Sequence, residues 1–149
     1  MRQTSGTILI VDDDPAIRTS MSLCLHEIGY SVRTAEDGIE ALMLMGDEVP
    51  QILLTDLNMP RMSGFELLAL VHNKFPTVQT IAMSGAFCGD DLPAGVLADA
   101  FFQKGSSIRA LFKVVEDLPS HSLQNVKSTP FWIRQDNQDR MDSSLSRSS

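Results

Sequence analysis

Short apolar runs alternate with longer segments whose apolar residues recur at helical spacing. The first run, TILIV at 7–11, reads as a buried strand. The segment after it carries Ile17, Met21, Cys24, Leu25 and Ile28 on one helical stripe. Asp14 stands at the N-cap of that helix, Pro15 at its first position and Gly29 at its stop. SVRTA at 31–35 is a shorter strand, more polar and therefore expected nearer a sheet edge. Asp37 and Glu40 have capping-box spacing at the start of a helix over 37–46. QILLT at 51–55 is the second strongly buried strand. Ser63 and Glu66 repeat the capping-box spacing before a helix at 65–73. VQTIAM at 78–83 is a strand, and 86–98, with two glycines and a proline, reads as a short or irregular helix. DAFFQ at 99–103 is the last strand. The last helix, 108–118, carries Ile108, Leu111, Phe112, Val115 and Leu118 on one stripe.

Five strand–helix units in alternation predict an α/β domain with a parallel sheet covered on both faces and right-handed crossovers. In open sheets of this kind, ligands bind at the carboxyl ends of the strands, where the strand order reverses. Asp12 and Asp13 follow the first strand, Asp56 the third, Ser84 the fourth and Lys104 the fifth; the second offers only Glu36. A parallel sheet brings all of these to one edge.

Carboxylates gathered in one place repel. Two like charges about 4 Å apart oppose each other by roughly 4 kcal/mol at an effective dielectric near 20. The site relieves this by protonating one acid or by binding a hard cation. A few carboxylates that leave room for water suit Mg²⁺. Such an ion attracts phosphoryl oxygens, and aspartate is a known covalent acceptor of phosphoryl groups. Phosphoryl transfer needs mainly positioning and charge neutralisation. Lys104, Ser84 and the backbone N–H groups after Asp56 stand where they could supply both.

Composition narrows the remaining choices. The hydrophobic content of 43% is enough for a core, and the net charge of −7 argues against direct nucleic-acid binding. The charge is uneven: residues 1–119 hold 16 acids and 8 bases, whereas 120–149 hold 3 acids and 4 bases. Cys24 and Cys88 make no disulfide framework; the first falls on an apolar stripe and the second reads as a free thiol. No run reaches the roughly 20 apolar residues of a membrane span. The N-terminal apolar segment is too short for a signal peptide, so a reduced, cytoplasmic setting is expected. His26 and His72 have no ligand spacing, and the methionines read as packing.

The segments ILIVDDDPAIR, ILLTDLNMPRMSGFELL, IAMSG and FFQKG, in that order, resemble the receiver domains of two-component response regulators over about residues 6–118. The most specific part is D-x-x-M-P-x-M-x-G around Asp56. The resemblance implies a flavodoxin-like (βα)5 sandwich, a five-stranded parallel sheet in order 2-1-3-4-5. It implies Asp56 as phosphoacceptor, with Asp12, Asp13, Asp56 and the backbone carbonyl of Asn58 around Mg²⁺, or Mn²⁺ in its place. Ser84 would be the switch hydroxyl, Lys104 the pairing cation, and Phe101 the aromatic switch position. The donor would be a phosphohistidine on a sensor histidine kinase or phosphotransfer protein. Output would run through the face of the fourth helix, fifth strand and fifth helix to a downstream protein, from a monomer or weak dimer.

Three departures stand out. Gly105 follows Lys104 where the family usually has a proline with a cis bond; without proline that bond costs about 2.5–4 kcal/mol, so a trans bond is expected. The fourth helix is weak. Residues 120–149 contain eight serines, resemble no output domain and are expected to form a disordered tail after a receiver domain at 1–119, with PFWI at 130–133 as the candidate segment for docking on the domain itself or on a partner. Two rival readings remain: a receiver-fold binding module that works without phosphorylation, and a Mg²⁺ enzyme or flavodoxin on the same fold. Three aspartates after the first strand would repel a flavin phosphate, and an aspartyl phosphatase usually carries a cap domain. The favoured expectation is a phosphorylation-activated signalling switch and not an enzyme, apart from slow loss of its own phosphoryl group.

Overall fold

A computed structural model of the chain describes residues 6–85 and 96–118. In chain order the elements are β1 (Gly6–Val11), α1 (Pro15–Glu27), β2 (Tyr30–Ala35), α2 (Gly38–Asp47), β3 (Ile52–Asp56), α3 (Gly64–Lys74), β4 (Gln79–Ser84), β5 (Ala100–Gln103) and α4 (Ile108–Glu116). The strands form one parallel sheet in the order β2-β1-β3-β4-β5, as expected. The more polar β2 lies at an edge. The expected helix over 86–98 and the expected tail lie mostly or wholly outside the described residues; 96–98 carry no regular element, although Val96 and Ala98 are buried.

Strand periodicity explains the two cores. Leu9, Val11, Leu53 and Ala82 point to one face of the sheet, against Ala41 and Met45 of α2 and Leu67, Leu68 and Val71 of α3. Ile8, Ile10, Ile52, Leu54, Ile81 and Met83 point to the other, against Met21 and Leu25 of α1 and Leu111 and Val115 of α4. The central strands are covered on both sides and so carry unbroken apolar runs. Truncating a fully buried leucine such as Leu54 to alanine is expected to cost about 2–5 kcal/mol.

The helix ends follow local chemistry, with two corrections. Asp14 Oδ1 accepts from Ala16 N–H at 2.9 Å, so this third aspartate is a cap. Ser63 and Glu66 form the reciprocal capping box before α3. The box at Asp37 is only half made. Asp37 accepts from Glu40 N–H at 2.8 Å, but the Glu40 carboxylate accepts from Glu36 N–H, one residue further back, also at 2.8 Å. Ile108 is exposed, not part of the buried stripe of α4, because it opens the helix next to its cap, Ser107.

The register aligns the carboxyl ends of the strands. Val11 pairs with Ala35 and with Thr55, Asp56 pairs with Met83, and Ser84 pairs with Gln103. The chain leaves β1 for β2 on one side and later returns to place β3 on the other. The ends of β1 and β3 therefore flank the point where strand order reverses.

Candidate functional site

Asp12 continues the β1–β2 ladder: its N–H donates to Ala35 O at 3.1 Å. Its carbonyl accepts from Arg18 Nη1 at 2.6 Å, and its Oδ1 accepts from Asp14 N–H at 2.9 Å. These bonds fix the turn into α1 and hold a fully buried carboxylate at the sheet edge. Asp13, the next residue, is exposed. Asp56 ends β3 and is 4% exposed; its Oδ1 accepts from Asn58 N–H at 3.3 Å and its Oδ2 from Lys104 Nζ at 3.2 Å.

One oxygen from each of Asp12, Asp13 and Asp56 lies within 4.8 Å of the others, so the three acids converge as the strand-end reading expected. Lys104 Nζ also stands 2.9 Å from Asp12 Oδ2. That contact is ionic without hydrogen-bond geometry, and Asp12 Oδ2 has no hydrogen-bond partner among the described residues. One ammonium is thus shared between two buried carboxylates.

Both titrating partners respond to this sharing. Burial, and then the charge of Asp12, push the Asp56 carboxyl above the usual carboxylate range; Lys104 and Asn58 N–H pull it down without cancelling the rise. Burial pulls the Lys104 ammonium down, but Asp12 and Asp56 outweigh it and hold the group above the usual lysine value. The directions agree once the stoichiometry is seen. One cation beside two anions keeps its proton, while burial and the neighbouring charge favour the protonated form of Asp56.

Ser84 ends β4 fully buried, and its Oγ accepts from the Asn58 side-chain amide at 3.4 Å. Phe101 pairs in register with Ala82 and packs, partly buried, against the core that includes α2 and α3. There is no cis peptide bond among the described residues, so Lys104–Gly105 is trans, and Lys104 still reaches both aspartates. Cys24 is a partly buried free thiol.

Three features of the site did not come from the sequence reading. The Arg18 bond to the Asp12 carbonyl could have been suspected from its place one turn into α1. The Asn58 side-chain bond to Ser84 depends on how the loop after β3 folds. Gly64 is the third. A Cβ there would lie 2.0 Å from Asp56 O and 2.6 Å from Leu57 Cα, so only glycine lets α3 start against the backbone of Asp56. Its place in the motif around Asp56 was the available signal.

The donor set fits a hard divalent cation. It consists of carboxylate oxygens only, it carries more negative charge than Lys104 neutralises, and one buried oxygen lacks a hydrogen bond.

Comparison with known proteins agrees with this arrangement. Residues 8–116 match the family described as response regulator receiver domain. The chain is 39% identical over 93 residues to the response regulator MprA of Mycobacterium bovis, covering 62% of this chain and 34% of that protein. It is 39% identical over 90 residues to MprA of Mycobacterium avium, covering 60% and 33%. The chain thus spans about a third of the length of the curated relatives it matches. Among solved structures it is similar to the chemotaxis response regulator CheY4 of Vibrio cholerae, with a TM-score of 0.71, 26% identity, and 79% of this chain and 100% of that one covered. A CheY-like receiver domain from Methanospirillum hungatei gives a TM-score of 0.68 at 32% identity, covering 78% and 93%. By matched length, strand order and the convergence of its acids, this chain belongs to the response regulator receiver domains.

Proposed function

We propose that Asp56 is the phosphoacceptor of a signalling switch charged by a phosphohistidine on a sensor histidine kinase or phosphotransfer protein. The observation that carries this reading is a buried carboxylate that shares one ammonium with a second buried carboxylate. In the transfer, an Asp56 carboxylate oxygen attacks phosphorus. The P–N bond breaks, its electron pair stays on the imidazole nitrogen, and an acyl phosphate forms. Asp56 must be ionised to attack, and Lys104 favours that form. Lys104 Nζ and Asn58 N–H, which now bond the two Asp56 oxygens, are donors available to the new phosphoryl oxygens. Asp12, Asp13, Asp56 and the carbonyl of Asn58 would hold Mg²⁺ or Mn²⁺. When bound, the ion supplies charge neutralisation for the phosphoryl oxygens.

The new group also changes what Ser84 and Phe101 experience. Ser84 Oγ already accepts from Asn58, and a phosphoryl oxygen gives its hydroxyl an acceptor beside Asp56. Phe101, packed one strand away and only partly buried, would then move inward as the end of β4 shifts. The output proposed is protein contact and not direct nucleic-acid binding, supported by a net charge of −7 and the acidic balance of the first 119 residues. No helix among the described residues is long and apolar enough to cross a membrane, which is compatible with a cytoplasmic setting.

The test uses phosphoramidate, a small donor with the same P–N bond, together with Mg²⁺. Uptake of one phosphoryl group that hydroxylamine removes and EDTA prevents is the expected result. A protein that gains no phosphoryl group under these conditions would favour the phosphorylation-independent module.

A further inference from the structure

The loop between β3 and α3 is closed twice. At its base, Gly64 N–H donates to Leu57 O at 3.0 Å. At its tip, Met62 N–H donates to Pro60 O at 2.8 Å around Arg61, whose φ is 68°. A bond from i+2 back to i across a positive φ is a γ-turn of the rare, strained kind. Arg61 is the one non-glycine residue with positive φ among the described residues. Such a conformation persists only where its surroundings over-determine it.

Two contacts at the start of α2 do so. Arg61 Nη2 is paired with Asp37 Oδ2. Met62 lies over Gly38, where a Cβ would come within 2.7 Å of its Sδ and 2.9 Å of its Cγ. Asp37 is itself buried and fixed by capping α2. The loop tip is therefore held to a different βα unit from the one that carries it. Between base and tip lies Asn58, which touches Asp56 through its N–H and Ser84 through its side chain. The Arg61 side chain is 64% exposed, so the pair contributes little as a surface ion pair; its consequence is geometric.

We infer that Asp37 and Arg61 are positioning residues for the phosphorylation site: their pairing holds the strained turn that keeps Asn58 in register with Asp56 and Ser84. The inference deepens the proposed function and rests on it for its kinetic consequence. Neither residue touches the reacting atoms. Both act through the loop, and the loop acts through Asn58.

Four variants of the full chain separate this from a merely structural role. Arg61→Gly keeps the positive φ but frees the tip. Asp37→Asn keeps a capping oxygen but loses the charge. The double variant combines them, and Arg61→Lys keeps the cation. Three quantities are read: the backbone amide signal of Asn58 by NMR, the Mg²⁺ dissociation constant of metal-depleted protein, and the rate of phosphoryl uptake from phosphoramidate. Each single variant is expected to shift the Asn58 amide and to change Mg²⁺ affinity and uptake rate by roughly 3- to 10-fold, with the double no worse than the more affected single. Arg61→Lys should recover most of the effect. An unmoved Asn58 amide with unchanged Mg²⁺ affinity in Arg61→Gly would overturn the inference, as would single effects that multiply in the double variant. If the parent chain takes up no phosphoryl group, the phosphoacceptor reading falls, while the Asn58 amide still decides the positioning role.

Discussion

Replacing Lys104 with methionine removes a charge while keeping most of the stem, and the site's geometry sets the consequence. The ammonium lies 2.9 Å from Asp12 Oδ2 and 3.2 Å from Asp56 Oδ2, with the three side chains 19%, 0% and 5% exposed. Each contact is worth roughly 5 kcal/mol of gross attraction at an effective dielectric near 20. Desolvation of the ammonium offsets much of this, and removing one partner of a buried pair typically costs about 3–5 kcal/mol. Asp56 has an escape, because its carboxyl is already pushed up by burial and by Asp12 and can take a proton. The net loss expected at pH 7 without metal is therefore about 2–3 kcal/mol, below the usual range.

The pH dependence has a definite sign. With Lys104 gone, the folded-state pKa of Asp56 rises further above its unfolded value. The folded variant then binds more protons than the unfolded chain, and its stability increases as pH falls. The deficit should be full at neutral pH and shrink through the carboxylate range. In the parent chain the contribution of Lys104, whose pKa is raised, is fully present below the ordinary lysine value and is lost as pH rises through the folded one. Mg²⁺ should narrow the gap, because a divalent cation replaces the missing charge. Urea unfolding of parent and Lys104→Met, at pH 7 and pH 4.5, with Mg²⁺ or EDTA, measures all of this. A variant as stable as the parent at pH 7 in EDTA, or a gap that Mg²⁺ widens, would refute the reasoning.

Three further outcomes follow. Gly64→Ala forces a Cβ into backbone atoms of Asp56 and Leu57, so it should destabilise by the upper part of about 1–3 kcal/mol in urea unfolding and slow phosphoryl uptake. Asp37→Ala should cost about 1–2 kcal/mol at pH 7 through loss of the α2 cap. Its carboxyl is held below the usual range, first by the Glu40 N–H bond and also by Arg61, against burial; its contribution is thus present above the unfolded pKa and lost as pH falls through the folded one, which an acid unfolding series would show. Above saturation, each tenfold increase in free Mg²⁺ should stabilise the parent chain by about 1.4 kcal/mol, and Asp13→Ala should move the onset of that rise to higher Mg²⁺ in thermal unfolding.

Much of this was legible in the sequence because it depends on position along strands. Unbroken apolar runs at β1, β3 and β4 exist because both faces of those strands are covered. Once the sheet is parallel, Asp12, Asp56, Ser84 and Lys104 must share an edge. What escaped depends on how loops fold. Glu40 had capping-box spacing from Asp37, but its carboxylate reaches Glu36 instead, since spacing alone does not choose between adjacent N–H groups. Arg61 gave no signal in the sequence, because nothing local to it announces a positive φ; the cause lies in Asp37 and Gly38, more than 20 residues away. The Asn58 side chain bonds across to β4 for the same reason. Gly105 stands where the family usually has a proline, yet Lys104 keeps its contacts, because the bond from Lys104 N–H to Ser84 O fixes its backbone before the glycine.

The central claim is that Asp56 captures a phosphoryl group. Intact-mass measurement after exposure to a small acyl-phosphate donor and Mg²⁺ tests it most directly, with the parent chain beside Asp56→Asn. The account predicts a single phosphoryl addition on the parent and none on the variant. Equal labelling of both proteins would contradict it.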